Sequence, residues 1–330
     1  LVTLLGEQYT LHDPFAGADD LEAKIMRTVG DPHQRFQEDA LRLLRAIRFS
    51  VQLDFTLESE TLTALKTHAP LLEHVSSERI RDEFLKILTS DHAKRGIELL
   101  EETGMLELIL PELRLAKGVA QGGHHTTDVW THSLDALQVC PSLDPIVRLA
   151  TLLHDIAKPQ TFKLIDGAPT FYNHEIIGSR MAKKIAIRLR LSNEDCDRIF
   201  ILVRFHMFHY QPELTDAAIR RMMRNMRLEN IDDMLDLREA DRLGSGARKT
   251  SWRLEELKAR MIDQLHQPLD VTDLAIDGTD LMNSLALRPG PVIGQILHAL
   301  FEHVMEVPQD NDKETLLKVA QTMVTQEKGN

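Results

Sequence analysis

Cysteine is nearly absent from this sequence, and segments typical of exported or membrane proteins are missing as well. The 330 residues include only Cys140 and Cys196, which are far apart and have no paired spacing. Neither a disulfide framework nor a cysteine-bound zinc site is therefore expected. No stretch approaches the roughly 20 apolar residues that cross a bilayer, and no basic-then-apolar export signal opens the chain. We predict a cytoplasmic protein in which histidine and carboxylate side chains hold any metal ion.

Aromatic residues are also scarce, at 5% of the chain. Hydrophobic residues make up 43% and charged residues 27%, a balance typical of a globular chain and not of a disordered one. Apolar residues recur three and four positions apart in long segments rich in Leu, Ala, Arg and Glu, which predicts a mainly α-helical fold. The length exceeds one ordinary hydrophobic core and predicts two or more domains.

The start of the chain is the exception to the helical pattern. Val2–Leu5 and Gln8–Leu11 flank Gly6-Glu7, which predicts a β-hairpin with a tight turn. Two strands alone are only marginally stable in water. Because the chain also opens at Leu1 rather than methionine, we expect the hairpin to be the remaining edge of a larger sheet. The sequence is accordingly expected to be truncated at its N-terminus.

Breaks that contain glycine and proline divide the remaining chain into helical segments. They lie at Gly30-Asp31-Pro32, Gln121-Gly122-Gly123 and Pro289-Gly290-Pro291, the last read as a rigid entry to a helix. The predicted domains are residues 1–30, 31–120, 121–246 and 247–330. The predicted helices that bear on function cover residues 19–27, 37–52, 128–139 and 146–158.

Six ionisable side chains occupy positions that the apolar pattern assigns to a helical core. They are His132, His154, Asp155, His174, His206 and Asp241. Burying such groups unpaired costs several kcal/mol each, so they must find hydrogen bonds, one another or an ion. Any one of the histidines alone is more commonly a hydrogen-bonded core residue. Together, the six favour a site for Mn, Fe, Ni, Zn or Mg.

The pattern of His132, His154-Asp155 and Asp241 resembles the HD superfamily of metal-dependent phosphohydrolases, whose domains are all-helical. His174 and His206 match the additional histidines of members that hold a second metal. The resemblance implies that His154 and Asp155 are catalytic and that all six residues are metal ligands. It also implies attack of a metal-activated water on a phosphoester.

A second pattern lies upstream, where Asp39, Arg42 and Arg45 recur every third residue of a predicted helix. Neighbouring members of such a series lie on one side of a helix. A carboxylate and a guanidinium held side by side offer an acceptor and donors to the edge of a base, and further arginines suit a triphosphate. An ion-paired surface helix is the alternative.

These residues and their flanking motifs resemble the bacterial tRNA nucleotidyltransferase and poly(A) polymerase family, class II. The motifs are Asp13-Pro14-Phe15-Ala16-Gly17, Arg27-Thr28-Val29-Gly30-Asp31-Pro32, and Glu38-Asp39 through Arg45. The resemblance implies a remnant of the nucleotidyltransferase head (1–30), a helical neck (31–120), an HD domain (121–246) and a C-terminal body or tail (247–330). It further implies that Asp39 and Arg42 pair with the base of CTP or ATP, supported by Arg45.

The family's head carries a Gly-Ser or Gly-Gly loop and an Asp-x-Asp pair that binds two Mg ions. Neither precedes Asp13. The full-length parent is therefore expected to add C or A nucleotides to an RNA 3′ end, whereas this chain is expected to lack the catalytic carboxylates. Two alternatives stay open: a stand-alone HD phosphohydrolase, and a non-catalytic RNA-binding protein with a structural metal.

RNA, in particular a tRNA 3′ end, is the expected partner, although the net charge of −12 opposes general attraction to nucleic acid. A basic stripe is predicted on one helix and consists of Arg220, Arg221, Arg224 and Arg227. We predict that Arg220, Arg224 and Arg227 contact RNA phosphates. A solvated helix face is the alternative. Arg79 and Arg81 near the end of the neck are comparable candidates.

Overall fold

The computed structural model describes residues 2–5, 8–122, 127–208 and 210–327. The chain forms two compact units: the first comprises Leu1–Met207 and Asp232–Lys249, and the second comprises Phe208–Ile231 and Thr250–Asn330. The predicted turn at Gly6-Glu7 and the predicted break at Gly123 fall outside the described residues. Within the described ranges, no helix is both long enough and apolar enough to cross a membrane.

The described chain is mainly helical, as the apolar spacing predicted. In chain order the helices are α1 (Gly17–Glu22), α2 (Pro32–Glu38), α3 (Leu41–Gln52), α4 (Ser59–His68), α5 (Ser77–Leu88), α6 (Ala93–Glu102), α7 (Met105–Ile109), α8 (Pro111–Arg114), α9 (Val129–Val139), α10 (Pro145–Leu153), α11 (Lys158–Thr161), α12 (His174–Arg188), α13 (Asn193–Phe205), α14 (Asp216–Met226), α15 (Ile231–Gly244), α16 (Trp252–Gln264), α17 (Gly278–Leu285), α18 (Pro291–Glu306) and α19 (Lys313–Glu327).

The strands form small two-stranded sheets. They are β1 (Val2–Leu5), β2 (Gln8–Leu11), β3 (Ile25–Met26), β4 (Thr56–Leu57), β5 (Lys163–Ile165) and β6 (Ala168–Thr170). β1 pairs with β2 in antiparallel register, β3 pairs with β4 in parallel, and β5 pairs with β6 as a hairpin.

The predicted helix over residues 37–52 is wrong, because the chain breaks at Asp39. α2 ends at Glu38, Asp39 is extended at φ −152° and ψ 104°, and α3 begins at Leu41. The Asp39 carboxylate accepts the backbone N–H of Leu41 at 3.1 Å. Aspartate favours such local bonds at helix starts over a position inside a helix. Asp39 therefore lies at a junction between two helices and not on the face of one.

Two other predicted helices end early. α1 stops at Glu22, and Ile25–Met26 forms a strand within the segment predicted as helix 19–27. α10 stops at Leu153, so that the pair His154-Asp155 lies in the turn that precedes α11.

The β5–β6 hairpin was not predicted. Asp166 and Gly167 at its turn have φ values of 51° and 77°. These left-handed angles are those that an Asp-Gly pair favours between antiparallel strands, so the signal was present in the sequence.

Each unit has its own apolar core. In the first, α12 packs against α13, and α10 contacts α5, α9 and α13. The buried side chains of Leu149, Leu153 and Leu202 belong to this core. In the second, α17, α18 and α19 enclose the side chains of Leu300, Phe301 and Leu316.

An ion pair connects the neck to α12 within the first unit. Arg188 donates two hydrogen bonds to the Glu112 carboxylate and a third to the carbonyl of Ile109 at 3.2 Å. Burial acts to raise the pKa of Glu112, but the hydrogen bonds from Arg188 outweigh burial and lower that pKa below its ordinary value.

We predict that Glu112→Gln lowers the free energy of unfolding by about 1 kcal/mol at neutral pH, since the pair is partly exposed. A carboxyl with a lowered folded-state pKa contributes stability above its unfolded pKa and loses it as the pH falls through the folded-state value. The difference between variant and wild type should therefore shrink in acid. Urea unfolding at pH 7 and pH 3.5 measures it, with Glu98→Gln on the exposed face of α6 as the control. A deficit that persists equally in acid would contradict the assignment.

Candidate functional site

Six buried side chains converge in the first unit. The structure brings together all the predicted metal ligands: His132 from α9, His154 and Asp155 from the turn after α10, His174 from the start of α12, His206 from the end of α13, and Asp241 from α15. Their ligand atoms form two groups, and the atoms of each group lie within 4.8 Å of one another.

The first group consists of His132, His154 and Asp241. The Nε2 atoms of His132 and His154 are 3.0 Å apart. Oδ1 of Asp241 lies 3.2 Å from Nε2 of His132 and 3.8 Å from Nε2 of His154. All three ligand atoms therefore face one point between the helices.

The second group consists of Asp155, His174 and His206. Oδ1 of Asp155 lies 3.4 Å from Nε2 of His174 and 3.7 Å from Nε2 of His206. The other carboxylate oxygen of Asp155, Oδ2, lies 3.1 Å from Nε2 of His154 in the first group. Asp155 therefore bridges the two groups.

Backbone carbonyls orient three of the imidazoles. Nδ1 of His154 lies 2.7 Å from the carbonyl of Thr151, and Nδ1 of His206 lies 2.7 Å from the carbonyl of Val203. Nδ1 of His174 makes the same contact with a carbonyl three residues earlier, at 2.8 Å. A neutral imidazole that donates from Nδ1 presents a lone pair at Nε2, which is the form a metal ion requires.

The two aspartates carry the negative charge of the cluster. Burial acts to raise the pKa of Asp155, but the imidazole of His154 and the ammonium of Lys158 outweigh it and hold that pKa well below the usual range. Burial also acts to raise the pKa of Asp241. The hydrogen bond from His132 and the positive charges nearby outweigh burial and lower that pKa. Both carboxylates are therefore ionised at neutral pH.

These residues fit divalent metal ions. Oδ1 of Asp155 is buried and has no hydrogen-bond partner among the described residues. A buried carboxylate oxygen without a partner is costly unless an ion or a hydrogen-bond donor faces it. Four inward imidazole nitrogens and two carboxylates form a donor set suited to Mn, Fe, Ni, Zn or Mg.

Lys158 stands beside the cluster and was missed from the sequence. Its Nζ lies 2.6 Å from Oδ2 of Asp155 and 2.6 Å from Oε1 of Gln121. The side chain is buried, so its ammonium must remain paired. The signal was the lysine three residues after Asp155, a spacing that brings the two side chains together across one turn.

A close backbone approach places Asp241 beside His132. A Cβ on Gly244 would stand 2.6 Å from the backbone nitrogen of Ala136, so only glycine lets α15 contact α9 at this depth. Arg238 then pairs with Oδ2 of Asp241 at 2.6 Å and leaves Oδ1 facing the histidines.

The predicted nucleotide-binding residues lie at the α2–α3 junction and along α3. Asp39 faces Arg79, whose Nη2 lies 3.4 Å from its Oδ2. Arg42 donates to Glu38 at 2.7 Å. Arg45 is exposed, with its guanidinium 5.7 Å from the ring centroid of Phe49. All three predicted residues are therefore at least partly exposed, and they lie close together in sequence at and after the α2–α3 junction.

The predicted RNA-binding stripe requires correction. Arg220 is only 4% exposed, and its guanidinium donates to the carbonyl of Met305 and to Gln264, so it does not contact a phosphate in this conformation. Arg224 pairs with Glu302 at 2.9 Å. These arginines therefore attach α14 to the rest of the second unit.

The other arginines predicted to contact RNA differ in their exposure and in their partners within the protein. Arg221 pairs with Glu302 and Glu306. Arg227 is exposed at the end of α14, and its contact with RNA stays a prediction. In the neck, Arg81 donates to the carbonyl of Arg190.

Two family models match parts of the chain. Residues 54–116 match the "Probable RNA and SrmB- binding site of polymerase A", and residues 176–320 match domain 2 of tRNA nucleotidyltransferases.

Several curated proteins are similar over most of the chain. The A-adding tRNA nucleotidyltransferase of Deinococcus radiodurans is 36% identical over 90% of this chain and 71% of its own length. The CC-adding tRNA nucleotidyltransferase of Thermus thermophilus is 34% identical over 86% of this chain and 66% of its own length. The CCA-adding enzyme of Streptococcus thermophilus is 28% identical over 97% of this chain and 68% of its own length.

Solved structures share the fold. The CCA-adding enzyme of Bacillus stearothermophilus in complex with CTP superposes with a TM-score of 0.68 at 24% identity, over 97% of this chain and 70% of that one. The CCA-adding enzyme of Thermotoga maritima complexed with tRNA gives a TM-score of 0.50 at 17% identity, over 94% of this chain and 67% of that one.

The contact of α15 with α9 provides a test of the candidate metal centre. We predict that Gly244→Ala forces the two helices apart, moves Asp241 away from His132 and weakens Mn²⁺ binding measured by isothermal titration calorimetry. Overpacking of this kind also lowers the free energy of unfolding by about 1–3 kcal/mol.

The matched control is Gly294→Ala in α18, where an added Cβ meets none of the described atoms within 4 Å. That variant should bind Mn²⁺ like the wild type and be as stable or slightly more stable, since alanine suits a helix interior better than glycine. Wild-type Mn²⁺ affinity in folded Gly244→Ala protein would show that the helix contact does not position Asp241.

Proposed function

The chain belongs to the tRNA nucleotidyltransferase family, and on that premise we propose that it serves the addition of C or A nucleotides to the 3′ end of tRNA, with CTP or ATP as donor. The observation that carries this proposal is the similarity to A-adding, CC-adding and CCA-adding relatives over 86–97% of the chain. The family model for an RNA-binding site, matched by residues 54–116, supports RNA as the partner.

The α2–α3 junction is the proposed site of nucleotide selection. Asp39 offers acceptor oxygens at the junction, and Arg42 offers donors from the first turn of α3, the combination that the edge of a base requires. Arg42 also bonds to Glu38 and to the carbonyl of Arg35, which restricts its guanidinium to one orientation. Arg45 is exposed and offers its charge to the phosphates.

We predict that Arg42→Ala weakens binding of CTP and ATP by about 10- to 100-fold, which is the effect of losing a hydrogen bond to a charged group. Equilibrium binding of CTP, ATP and GTP to the chain measures the loss and its base dependence. Arg180→Ala, at an exposed position on α12, removes the same charge away from the junction and should leave binding unchanged. Equal affinities of Arg42→Ala and wild type would favour the alternative of an ion-paired surface helix.

The metal centre supports a second function, the hydrolysis of phosphoesters by an HD domain over residues 121–246. His132, His154 and Asp241 would hold one ion, and Asp155, His174 and His206 another. Bound divalent ions would polarise phosphoryl oxygens and lower the pKa of a water molecule. The inward Nε2 atoms and the two carboxylates provide the ligands, and Lys158 adds a positive charge that a phosphate group would face.

The family assignment favours substrates that carry a phosphate at an RNA 3′ end. An enzyme that extends RNA needs a free 3′ hydroxyl, and a 2′,3′-cyclic phosphate blocks that position. A 2′,3′-cyclic nucleotide is therefore the proposed test substrate for the metal centre.

We predict that His154→Ala and Asp155→Ala abolish metal-dependent hydrolysis of a 2′,3′-cyclic nucleotide and weaken Mn²⁺ binding by more than about 100-fold. Loss of a group that only supports a ligand already costs about 10- to 100-fold in metal affinity. His303→Ala removes a histidine of the second unit that pairs with Asp310, and it should change neither quantity.

Three outcomes separate the hypotheses. Loss of both hydrolysis and Mn²⁺ binding in the two variants supports the hydrolase. Mn²⁺ binding by the wild type without hydrolysis favours a structural metal. Unchanged rates in both variants would remove this cluster from any account of hydrolysis.

A further inference from the structure

Several apolar side chains are exposed around the β5–β6 hairpin. Tyr172 is 73% exposed and Phe162 is 39% exposed, in a chain with only 5% aromatic residues. The ring centroid of Phe171 is 5.8 Å from that of Phe162, and Tyr172 directly follows Phe171 in the chain. We name these three residues the aromatic rim. Exposed apolar groups that lie together are features from which binding surfaces are built.

One member of the aromatic rim, Phe171, contacts residues of the candidate metal centre and its neighbour Lys158. The ammonium of Lys158 lies 5.4 Å from the ring centroid of Phe171 and 2.6 Å from Oδ2 of Asp155. The carbonyl of Phe171 accepts the hydrogen bond from Nδ1 of His174 at 2.8 Å. Phe171 therefore contacts His174 directly and Asp155 through Lys158.

Backbone pairing and packing position the hairpin between Phe162 and Phe171. Lys163 pairs with Thr170 across the hairpin. The far strand packs closely on the preceding loop, because a Cβ on Gly122 would stand 3.0 Å from Cγ of Pro169. Gln121 in the same loop binds Lys158 at 2.6 Å. A ligand that bound here would meet aromatic surface that is already in place.

We propose that the aromatic rim binds the base of a nucleoside whose phosphate lies at the candidate metal centre. The proposal rests on the hydrolase function proposed above. Aromatic rings stack on every base, because each base has a π-face. A phosphate at the ions and Lys158 would bring the attached nucleoside to the rim, which a substrate without a base would leave uncovered.

The test compares substrates with and without a base. Tyr172→Ala should raise KM for adenosine 2′,3′-cyclic phosphate by about 5- to 100-fold, the effect of losing one base–aromatic stack, with kcat little changed. KM for glycerol 1,2-cyclic phosphate, which has no base, should stay unchanged. Tyr172→Phe keeps the ring and should behave like the wild type. Leu164→Ala, a truncation in the same hairpin outside the rim, should alter neither substrate.

Direct binding separates this inference from the proposed hydrolysis. Adenosine 2′-monophosphate should bind the wild type more tightly than inorganic phosphate, and Tyr172→Ala should remove that difference whether or not the protein hydrolyses anything. Extending the probe to a short oligoribonucleotide with a terminal 2′-phosphate distinguishes a free nucleotide from an RNA end, according to which binds more tightly.

Several results would overturn the proposal. An equal rise in KM for the two cyclic phosphates would indicate a structural role of Tyr172. Unchanged KM and unchanged nucleotide binding in Tyr172→Ala, or equal affinity of the wild type for the nucleotide and for phosphate, would show that the rim does not bind the base. A change of molecular mass in Tyr172→Ala with unaltered nucleotide binding would assign the rim to contacts between protein chains instead.

Discussion

A buried aspartate whose charge must be balanced is the constraint on which the centre of the first unit depends. Asp155 is 2% exposed, and its two oxygens face different groups of histidines. An isolated carboxylate at this depth would cost several kcal/mol. Lys158 and the inward imidazoles reduce that cost, and Oδ1 remains without a hydrogen-bond donor among the described residues. The ends of α10 and α13 and the start of α12 converge around this one side chain, and each places an imidazole beside it.

The identity of the candidate ligand residues could be predicted from the sequence, but whether each one lies in a helix or in a turn could not. Apolar spacing indicated that His132 and Asp241 interrupt buried helix faces, and both lie there. The same spacing continued a helix through His154 and Asp155, whereas α10 ends at Leu153. At the stop, Nδ1 of His154 lies 2.7 Å from the carbonyl of Thr151, a local contact that apolar periodicity does not predict. Pro159 was the available signal, because a proline inside a continuous helix loses the hydrogen bond to the carbonyl four residues earlier, here that of Asp155.

Charge patterns were harder to interpret than apolar ones, since a row of arginines suits a phosphate and a buried carbonyl equally well. Arg220 and Met305 are 85 positions apart in sequence, and only the packing of α14 against α18 brings them together. The spacing of Asp39, Arg42 and Arg45 likewise suggested one helix face, but a local bond from Leu41 to Asp39 divides the segment. Spacing identifies which residues are neighbours on a helix, whereas tertiary contacts decide what those neighbours meet.

The proposed nucleotide-binding junction and the candidate metal centre belong to one packed unit. α3 packs against α6, and α6 in turn packs against α9, which carries His132. At the contact between α6 and α9, the side chain of Lys94 pairs with Asp135. The backbone N–H of Lys94 also donates to Gln138 at 3.1 Å, so two polar bonds connect the start of α6 to α9. Protein interiors of this density transmit displacement and do not absorb it. The distance between the two candidate sites is therefore set by helix packing and not by a linker.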